Sequence, residues 1–483
     1  MASLSRRLAD FLGELTFEDL PPQVVDKVKA HTLHKLSTAL CGYALPENRK
    51  LADMIKREET PKRGGATILV DGSKATRMGA AFANANIMRG FGQTDSYKLV
   101  AHPGSTVMPA AFAMAETEQR SGKDFIVAVA AGYEIIERLA GDFLPSTQAR
   151  GFRAGPVYGI FGAAVAAGRL LRLDRDQMNS AIALSVNMAA GNLQGRYSGG
   201  GGEGTAHEPA ATRNGMLAAL LARDGVKGGE TTLEGEAGFY HSYAGSNKGK
   251  LIDAFTGRRY TDIQAVAQGL GQRWELMNTV MKIYPTGGPN EPMVDLAAEL
   301  AIKHKIEPDD IAWGEIEVNW IEALRPSPAF RPPGGLGPHV GSLEYFCAYG
   351  IAKHTYPVIR PFTSMGHSRG ERQEDPPEVL ELMERFIVRL SHTRKPLASK
   401  ITVHTKDRKT YSIEGTGDEF KWDLKTERER IVALVPGMAI SAAQFQGLMK
   451  TVSRLEELDT IDPIINLTLI PTKMSFFTPM LSG

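Results

Sequence analysis

The stretch Gly159-Ile-Phe-Gly-Ala-Ala-Val-Ala-Ala-Gly-Arg-Leu-Leu171 consists almost entirely of small and aliphatic residues. The distance between two packed helices depends on the side chains at their contact, so this composition predicts a helix that packs closely against its neighbours. Similar alanine- and glycine-rich stretches occupy residues 78–88, 107–115, 125–140 and 178–190. We therefore predict a mainly α fold dominated by one large helical domain, with helices at high density up to about residue 270.

The chain changes in character near Trp274. Residues 311–320 alternate apolar and polar side chains, as expected for a half-buried strand. Residues 400–405 and 410–414 predict a strand pair across Lys406-Asp407-Arg408. Predicted helices lie before and between these strands, at residues 292–304, 341–353 and 377–389. This part of the sequence predicts a smaller α+β domain.

A last predicted helix, residues 441–458, follows the strands and is expected to return to the helical domain. We place the domain boundaries so that residues 1–270 and 429–483 form one discontinuous all-helical domain. Residues 271–428 form the α+β domain inserted between them.

Composition excludes several classes of protein. The chain has 483 residues, of which 42% are hydrophobic and 23% charged, as in ordinary globular proteins. Lysine and arginine number 56 against 55 aspartates and glutamates, so no overall positive field attracts nucleic acid or an anionic membrane. Cys41 and Cys347 are the only cysteines and predict neither a disulfide framework nor a zinc site.

The longest apolar runs, residues 125–132 and 159–165, are much shorter than the ~20 residues that span a bilayer. The first 15 residues carry acidic side chains and helical apolar spacing, which is typical of a core helix and not of a transit peptide. We predict a cytoplasmic protein without membrane or nucleic-acid partners.

A polar loop within residues 80–111 carries the first group of candidate catalytic residues. A predicted helix ends at Gly90, and the next one restarts near Pro109. His102 lies in the loop beside Pro103, which restricts the backbone of the preceding residue. Histidine ordinarily titrates near neutral pH and suits general acid–base catalysis.

Asp95 and Ser96 lie on the same loop, close enough in sequence to orient His102. The alternative interpretation is that these two residues cap a turn and that His102 is a surface histidine.

A second candidate segment, residues 195–209, is rich in glycine and leads into a predicted helix. His207 lies just ahead of the N-terminus of that helix. Helix N-termini favour anions. No strand precedes the glycines and no Lys-Ser or Lys-Thr follows them, so a nucleotide-binding loop is not indicated. The alternative for the glycines is a flexible loop.

Two basic residues are candidates for binding an anionic substrate. Arg153 precedes a predicted helix, and Lys282 lies at the junction of the two domains, a frequent place for ligand sites. The alternative for each is a solvated surface charge. The sequence contains no HExxH or EF-hand spacing, so we predict no metal site.

Several collinear blocks resemble the MmgE/PrpD superfamily, which includes 2-methylcitrate dehydratases, cis-aconitate decarboxylases and iminodisuccinate epimerases. The blocks are residues 80–97, 101–116, 150–171, 204–240 and 282–288. The resemblance covers about residues 8–458 and implies a discontinuous helical domain, an inserted α+β domain and a homodimer. It also implies a cofactor-free site at the domain junction that accepts small polycarboxylates.

The resemblance transfers to individual positions only in part. Asp95, Ser96 and His102 match the last aspartate, the threonine and the histidine of the family's loop. Gly92 and Thr94 replace two earlier aspartates of that loop.

In the later blocks, Arg153 replaces a histidine of the decarboxylase-like members, and Gly204 stands at a lysine position. His207 matches a histidine of the family in the same block as Gly204. A family histidine further along the chain is replaced here by Glu291 or its neighbour Asn290.

From these matches we expect two sets of site residues. The expected catalytic residues are His102, His207, Ser96 and Asp95. The expected substrate-binding residues are Arg153, Lys282, Thr94, Gln93 and Tyr284.

The function expected from this resemblance is that of a lyase, a dehydratase or decarboxylase, acting on a small di- or tricarboxylate such as an alkylated citrate. Two alternatives remain open: an isomerase or epimerase of a related acid, and a non-catalytic paralogue that binds a ligand.

Overall fold

The protein is described from a computed structural model. The description covers residues 2–197, 205–249, 261–324, 327–330, 335–359 and 374–471. Helices dominate these residues and strands are few, which confirms the mainly α fold class.

The first part of the chain is helical. Its helices are α1 (4–14), α2 (22–42), α3 (46–58), α4 (77–87), α5 (104–117), α6 (122–140), α7 (144–149), α8 (154–170), α9 (175–186), α10 (194–197), α11 (207–223) and α12 (239–244). A short antiparallel hairpin, β1 (66–67) and β2 (74–75), interrupts them.

Helix α8, which contains residues 159–170 of the small-residue stretch, lies at the centre of this part. It packs against α5, α6, α9 and α11. The alanines of its small-residue stretch are completely enclosed within one chain. Gly162 on α8 and Gly132 on α6 approach so closely that a Cβ added to Gly162 would lie 2.7 Å from the Gly132 oxygen. These small residues therefore serve packing inside the subunit, and this helix is not available to a second subunit.

A four-stranded sheet follows, with helices around it. Its strands are β3 (311–319), β4 (386–391), β5 (400–405) and β6 (410–414), arranged in the order β4-β3-β5-β6. β3 and β4 are parallel, and the other two neighbouring pairs are antiparallel. The associated helices are α13 (290–304), α14 (320–323), α15 (343–353) and α16 (377–383).

The last helices of the described residues are α17 (424–430), α18 (442–453) and α19 (462–468). Both α17 and α18 pack against α2 near the start of the chain. No helix of the described residues is long and apolar enough to span a membrane. Cys41 and Cys347 are buried free thiols.

Several predicted element boundaries are wrong, two of them with a clear consequence for the fold. The helix predicted over 377–389 ends at Met383, and Phe386 begins β4. A short apolar run has no decisive periodicity, and here parallel pairing with β3 determines its conformation. The helix predicted to restart near Pro109 begins at Gly104, and Pro109 lies inside it.

Candidate active site

The loop between α4 and α5 carries the candidate histidine and is joined to the segment around residue 280. Ser96 and Val280 exchange two backbone hydrogen bonds of 2.9 Å. Gly92 adopts a φ of 105°, a left-handed conformation that glycine tolerates better than other residues. The loop therefore lies where the N-terminal helices meet the residues that lead into the sheet.

His102 is fixed through one ring nitrogen. Its Nδ1 lies 2.8 Å from the main-chain oxygen of Asp95. The hydroxyl oxygens of Thr94 and Ser96 lie 3.2 and 3.1 Å from the same nitrogen. A carbonyl oxygen can only accept, so Nδ1 carries the hydrogen and Nε2 keeps its lone pair. None of the hydrogen bonds of the described residues uses Nε2.

Electrostatics keep this imidazole neutral. Burial, together with the cationic groups of Lys282 and Arg153, lowers the pKa of His102 to about 3, although the hydrogen bond to Asp95 and the charge of Glu208 oppose this shift. The ordinary near-neutral titration that we expected of His102 is therefore not found. The charges of Lys282, Arg153 and Glu208 therefore all act on His102.

The carboxylate of Asp95 does not contact His102. Its Oδ1 lies 3.1 Å from Nζ of Lys35. Its Oδ2 accepts hydrogen bonds from the amide of Gly104 and the hydroxyl of Tyr133. Burial by itself raises the pKa of Asp95, but Lys35, His31 and the hydrogen bond from Tyr133 together lower it by more, so the side chain is a carboxylate. Asp95 orients His102 through its main chain and anchors the loop through its side chain.

Arg153 is not a solvated charge. It is the N-cap residue of α8 and is buried. Its Nη2 and Nε lie 2.8 and 3.2 Å from Oε1 of Glu208. Nη1 of Arg89 lies 3.5 Å from the other oxygen of this carboxylate. Although burial raises the pKa of Glu208, the two guanidinium groups lower it well below its usual range.

Lys282 is also buried rather than solvated. Its Nζ donates to the main-chain oxygens of Gly92 and Thr286, at 2.5 and 2.6 Å. Gly92 stands at a position where the family's loop has an aspartate, so here the lysine bonds to the backbone at that position. The ammonium thereby links the loop to residues 282–286.

Two expected substrate-binding residues are bonded within the protein. The side-chain amide of Gln93 donates to the oxygens of Ile283 and Val358 and is completely buried. The hydroxyl of Tyr284 donates to Asp295 over 3.2 Å and lies 3.3 Å from Oγ1 of Thr355.

Glu291 or its neighbour Asn290 stands at a position where the family has a histidine. The two oxygens of Glu291 accept hydrogen bonds from the amides of Ile283 and Tyr284, both 3.1 Å long. Burial and the nearby Asp295 raise the pKa of Glu291 to about 8. Glu291 fixes the backbone next to Lys282.

His207 is the first residue of α11 and is partly buried, directly before Glu208. Gly204, the position that the family fills with lysine, lies outside the described residues. Among the residues described, no group of three or more histidine, cysteine, aspartate and glutamate side chains could hold a metal ion.

Sequence reasoning missed Lys35, Tyr133, Arg89 and Glu208. Lys35 and Tyr133 belong to the long helices α2 and α6, whose other residues have the pattern of core residues, so no local feature of the sequence distinguishes these two. Glu208 had a weak signal because it directly follows His207 at the start of α11.

Comparison with known proteins agrees with this architecture. Residues 6–251 match the model of the MmgE/PrpD N-terminal domain. This match covers half of the chain, and the chain therefore belongs to the MmgE/PrpD family.

Among curated proteins, the chain is 26% identical over 296 residues to the cis-aconitate decarboxylase-like protein oryM of Aspergillus oryzae, covering 59% of each chain. It is 28% identical over 297 residues to the cis-aconitate decarboxylase of Aspergillus terreus, covering 59% of this chain and 58% of that protein. The human cis-aconitate decarboxylase is 29% identical over 170 residues, 34% of this chain and 35% of that protein. The aligned part thus spans less than two thirds of these relatives.

Proposed function

We propose that this protein is a lyase of the MmgE/PrpD type that decarboxylates a small di- or tricarboxylate without a cofactor. The names of the fungal and human relatives support a tricarboxylate substrate. The observation that carries the proposal is His102, which is held through Nδ1 with Nε2 left for chemistry. The positive charges of two buried side chains, Lys282 and Arg153, lower the pKa of His102.

Decarboxylation breaks the bond between a carboxylate carbon and its neighbour, and the electron pair stays on the neighbouring carbon. Conjugation with a double bond and another carboxylate spreads this charge, and a proton must then reach the carbon. Fixed positive charge stabilises such a transition state because it is already oriented before the reaction. Lys282 and Arg153 supply that charge in this proposal.

His102 delivers the proton through Nε2. In the free protein the two cations disfavour the imidazolium. A substrate with two or three carboxylates brings the opposite charge and raises the pKa of the imidazole. Proton uptake by His102 is then coupled to substrate binding, and Nδ1 remains bonded to Asp95 throughout.

A second candidate reaction is favoured by the lowered pKa of His102. A neutral imidazole with a free Nε2 lone pair suits proton abstraction beside a carboxylate. Abstraction followed by loss of hydroxide is a dehydration, and abstraction followed by return of the proton is an epimerisation.

Incubation of the protein in D₂O with cis-aconitate and with hydroxylated and alkylated tricarboxylates separates these reactions. Decarboxylation is expected to release CO₂ and to place one deuterium on the product. Loss of 18 mass units without CO₂ indicates dehydration, and deuterium exchange at unchanged composition indicates epimerisation. No turnover of any acid, with binding detected by calorimetry, would replace the proposal by a non-catalytic ligand-binding function.

A further inference from the structure

The buried face of α2 contacts the loop that carries His102. His34 on this face is completely enclosed. Its Nε2 lies 3.2 Å from the main-chain oxygen of Gln93. Its Nδ1 lies 3.0 Å from Oε1 of Glu427 on α17. One imidazole therefore joins α2, the site loop and a helix that follows the sheet.

The chemistry of these partners determines the hydrogens of His34. The oxygen of Gln93 can only accept, so Nε2 carries a hydrogen. Nδ1 faces a carboxylate oxygen, and two lone pairs at 3.0 Å would repel each other. A proton must therefore lie between Nδ1 and Glu427. Since both residues are fully buried, water does not compete for this hydrogen bond.

Gln93 lies between the two loop residues that contact the candidate reactive groups. The oxygen of Gly92, on one side, accepts from Lys282. The hydroxyl of Thr94, on the other side, lies 3.2 Å from Nδ1 of His102. A shift of the Gln93 carbonyl would move both neighbours, because the peptide units on either side are planar and rigid.

We propose that His34, held by Glu427, is a positioning residue for His102. By fixing the carbonyl of Gln93, it keeps the loop where the oxygen of Asp95 holds the Nδ1–H form of His102. Its importance for turnover rests on the proposed function, in which Nε2 of His102 is reactive. Its effect on the state of His102 does not need a substrate.

Two substitutions of His34 separate its two contacts. In His34→Gln the amide nitrogen can occupy the place of Nε2 and still donate to Gln93. In His34→Asn the amide can occupy the place of Nδ1 and reach Glu427, but it is too short for Gln93. Ser37→Ala is the matched control, because Ser37 is buried on the same helix and bonds only to Leu33 in its own helix.

The first measurement is the tautomer of His102 by NMR of protein labelled with ¹³C and ¹⁵N at histidine. The His102 signals are identified by their absence in His102→Gln. The Nδ1–H form is expected in the wild type, His34→Gln and Ser37→Ala. A mixture of tautomers or exchange broadening is expected in His34→Asn. A pure Nδ1–H form in folded His34→Asn would overturn the proposal.

Glu427 provides an independent pair of variants. Glu427→Gln can still bond to Nδ1, whereas Glu427→Ala leaves this nitrogen unpaired. The His102 tautomer is therefore expected to change in Glu427→Ala and to be rescued in Glu427→Gln. Equal spectra for the two variants would contradict the proposal even if His34→Asn fails to fold.

Once a substrate is found, kcat of His34→Asn is expected to fall by about 10- to 100-fold with KM changed less, the cost of a misplaced reactive group. If the wild type turns over none of the acids, the proposed function fails, while the tautomer measurements still decide the role of His34. Unchanged kcat in His34→Asn with an active wild type would overturn the positioning role alone.

Discussion

His102 donates from Nδ1 to the main-chain oxygen of Asp95 over 2.8 Å, while the Asp95 carboxylate forms an ion pair with Lys35 and accepts hydrogen bonds from Tyr133 and the amide of Gly104. Asp95 thus contacts the His102 ring through its main-chain oxygen and not through its carboxylate. The carboxylate holds both ends of the loop, because Gly104 begins the next helix. Asp95 therefore sets the place of His102 without exchanging a proton with it.

Replacement of His102 is expected to reduce turnover by about two to four orders of magnitude, the usual contribution of general acid–base catalysis. His102→Gln removes both ring nitrogens and leaves a neutral side-chain amide, so it is the preferred variant. Steady-state rates on the substrate identified as above test this. His354→Asn is the control, since His354 is exposed and its left-handed backbone tolerates asparagine. A near-normal rate in His102→Gln would exclude His102 from the mechanism.

The same substitution is expected to change the stability of the protein in acid. The pKa of His102 falls from 6.5 to about 3 on folding. Between these values the unfolded chain binds a proton that the folded chain does not, so the free energy of unfolding decreases as pH falls from 6.5 to 3. Urea denaturation of His102→Gln between pH 7 and 4 should show a shallower decrease than that of the wild type. Parallel curves would contradict the lowered pKa.

Arg153 and Glu208 are expected to act as one buried unit. Removal of one partner leaves the other charge buried, so Arg153→Ala should lower the free energy of unfolding by about 3–5 kcal/mol. Arg153→Met combined with Glu208→Met should be less destabilised than either single methionine variant. Denaturant titrations of these three variants measure the coupling. Additive losses would mean that the two side chains do not interact.

For Arg153→Lys we expect KM to rise more than kcat falls, because the charge remains while the planar fork is lost. Steady-state kinetics test this, with Arg223→Lys, an exposed arginine at the end of α11, as the control. Unchanged KM and kcat in both Arg153→Lys and Arg153→Ala would exclude a part for Arg153 in substrate binding.

Gly104 and Gly13 should respond in opposite ways to alanine. A Cβ on Gly104 would lie 2.3 Å from the Tyr133 hydroxyl and 2.8 Å from Oδ2 of Asp95, so Gly104→Ala should destabilise the protein and displace the site loop. A Cβ on Gly13, within α1, meets only Met178 at 3.7 Å. Gly13→Ala should therefore stabilise the protein by up to about 1 kcal/mol. Thermal denaturation compares the two, and equal shifts would contradict the close packing around Asp95.

The expected homodimer should bury more than about 2,000 Å², as obligate dimers do. Its contacts must come from surfaces other than the small-residue stretch of α8, which is enclosed within one chain. Sedimentation at micromolar concentration is expected to give twice the mass of 52.4 kDa. A single species of 52.4 kDa would exclude the dimer.

The sequence by itself determined the helical character, three strands of the sheet and the candidate loop. A composition rich in glycine and alanine and an alternating polarity are local properties, so they can be recognised without knowledge of the fold. This is why α8, β3, β5 and β6 were predicted, together with the presence of His102, Asp95 and Ser96 on one loop. It also explains the error at β4, where pairing with β3 prevails over an ambiguous local pattern.

Only the tertiary structure decided which chemical state these residues adopt. Burial and partners distant in sequence set the charge of a side chain, as with Lys35 for Asp95, Glu208 for Arg153 and Glu427 for His34. The spacing of residues along the chain carries no information on such contacts. His102 is neutral, with its hydrogen on Nδ1, because burial and two cations from distant parts of the sequence, Lys282 and Arg153, together oppose its protonation.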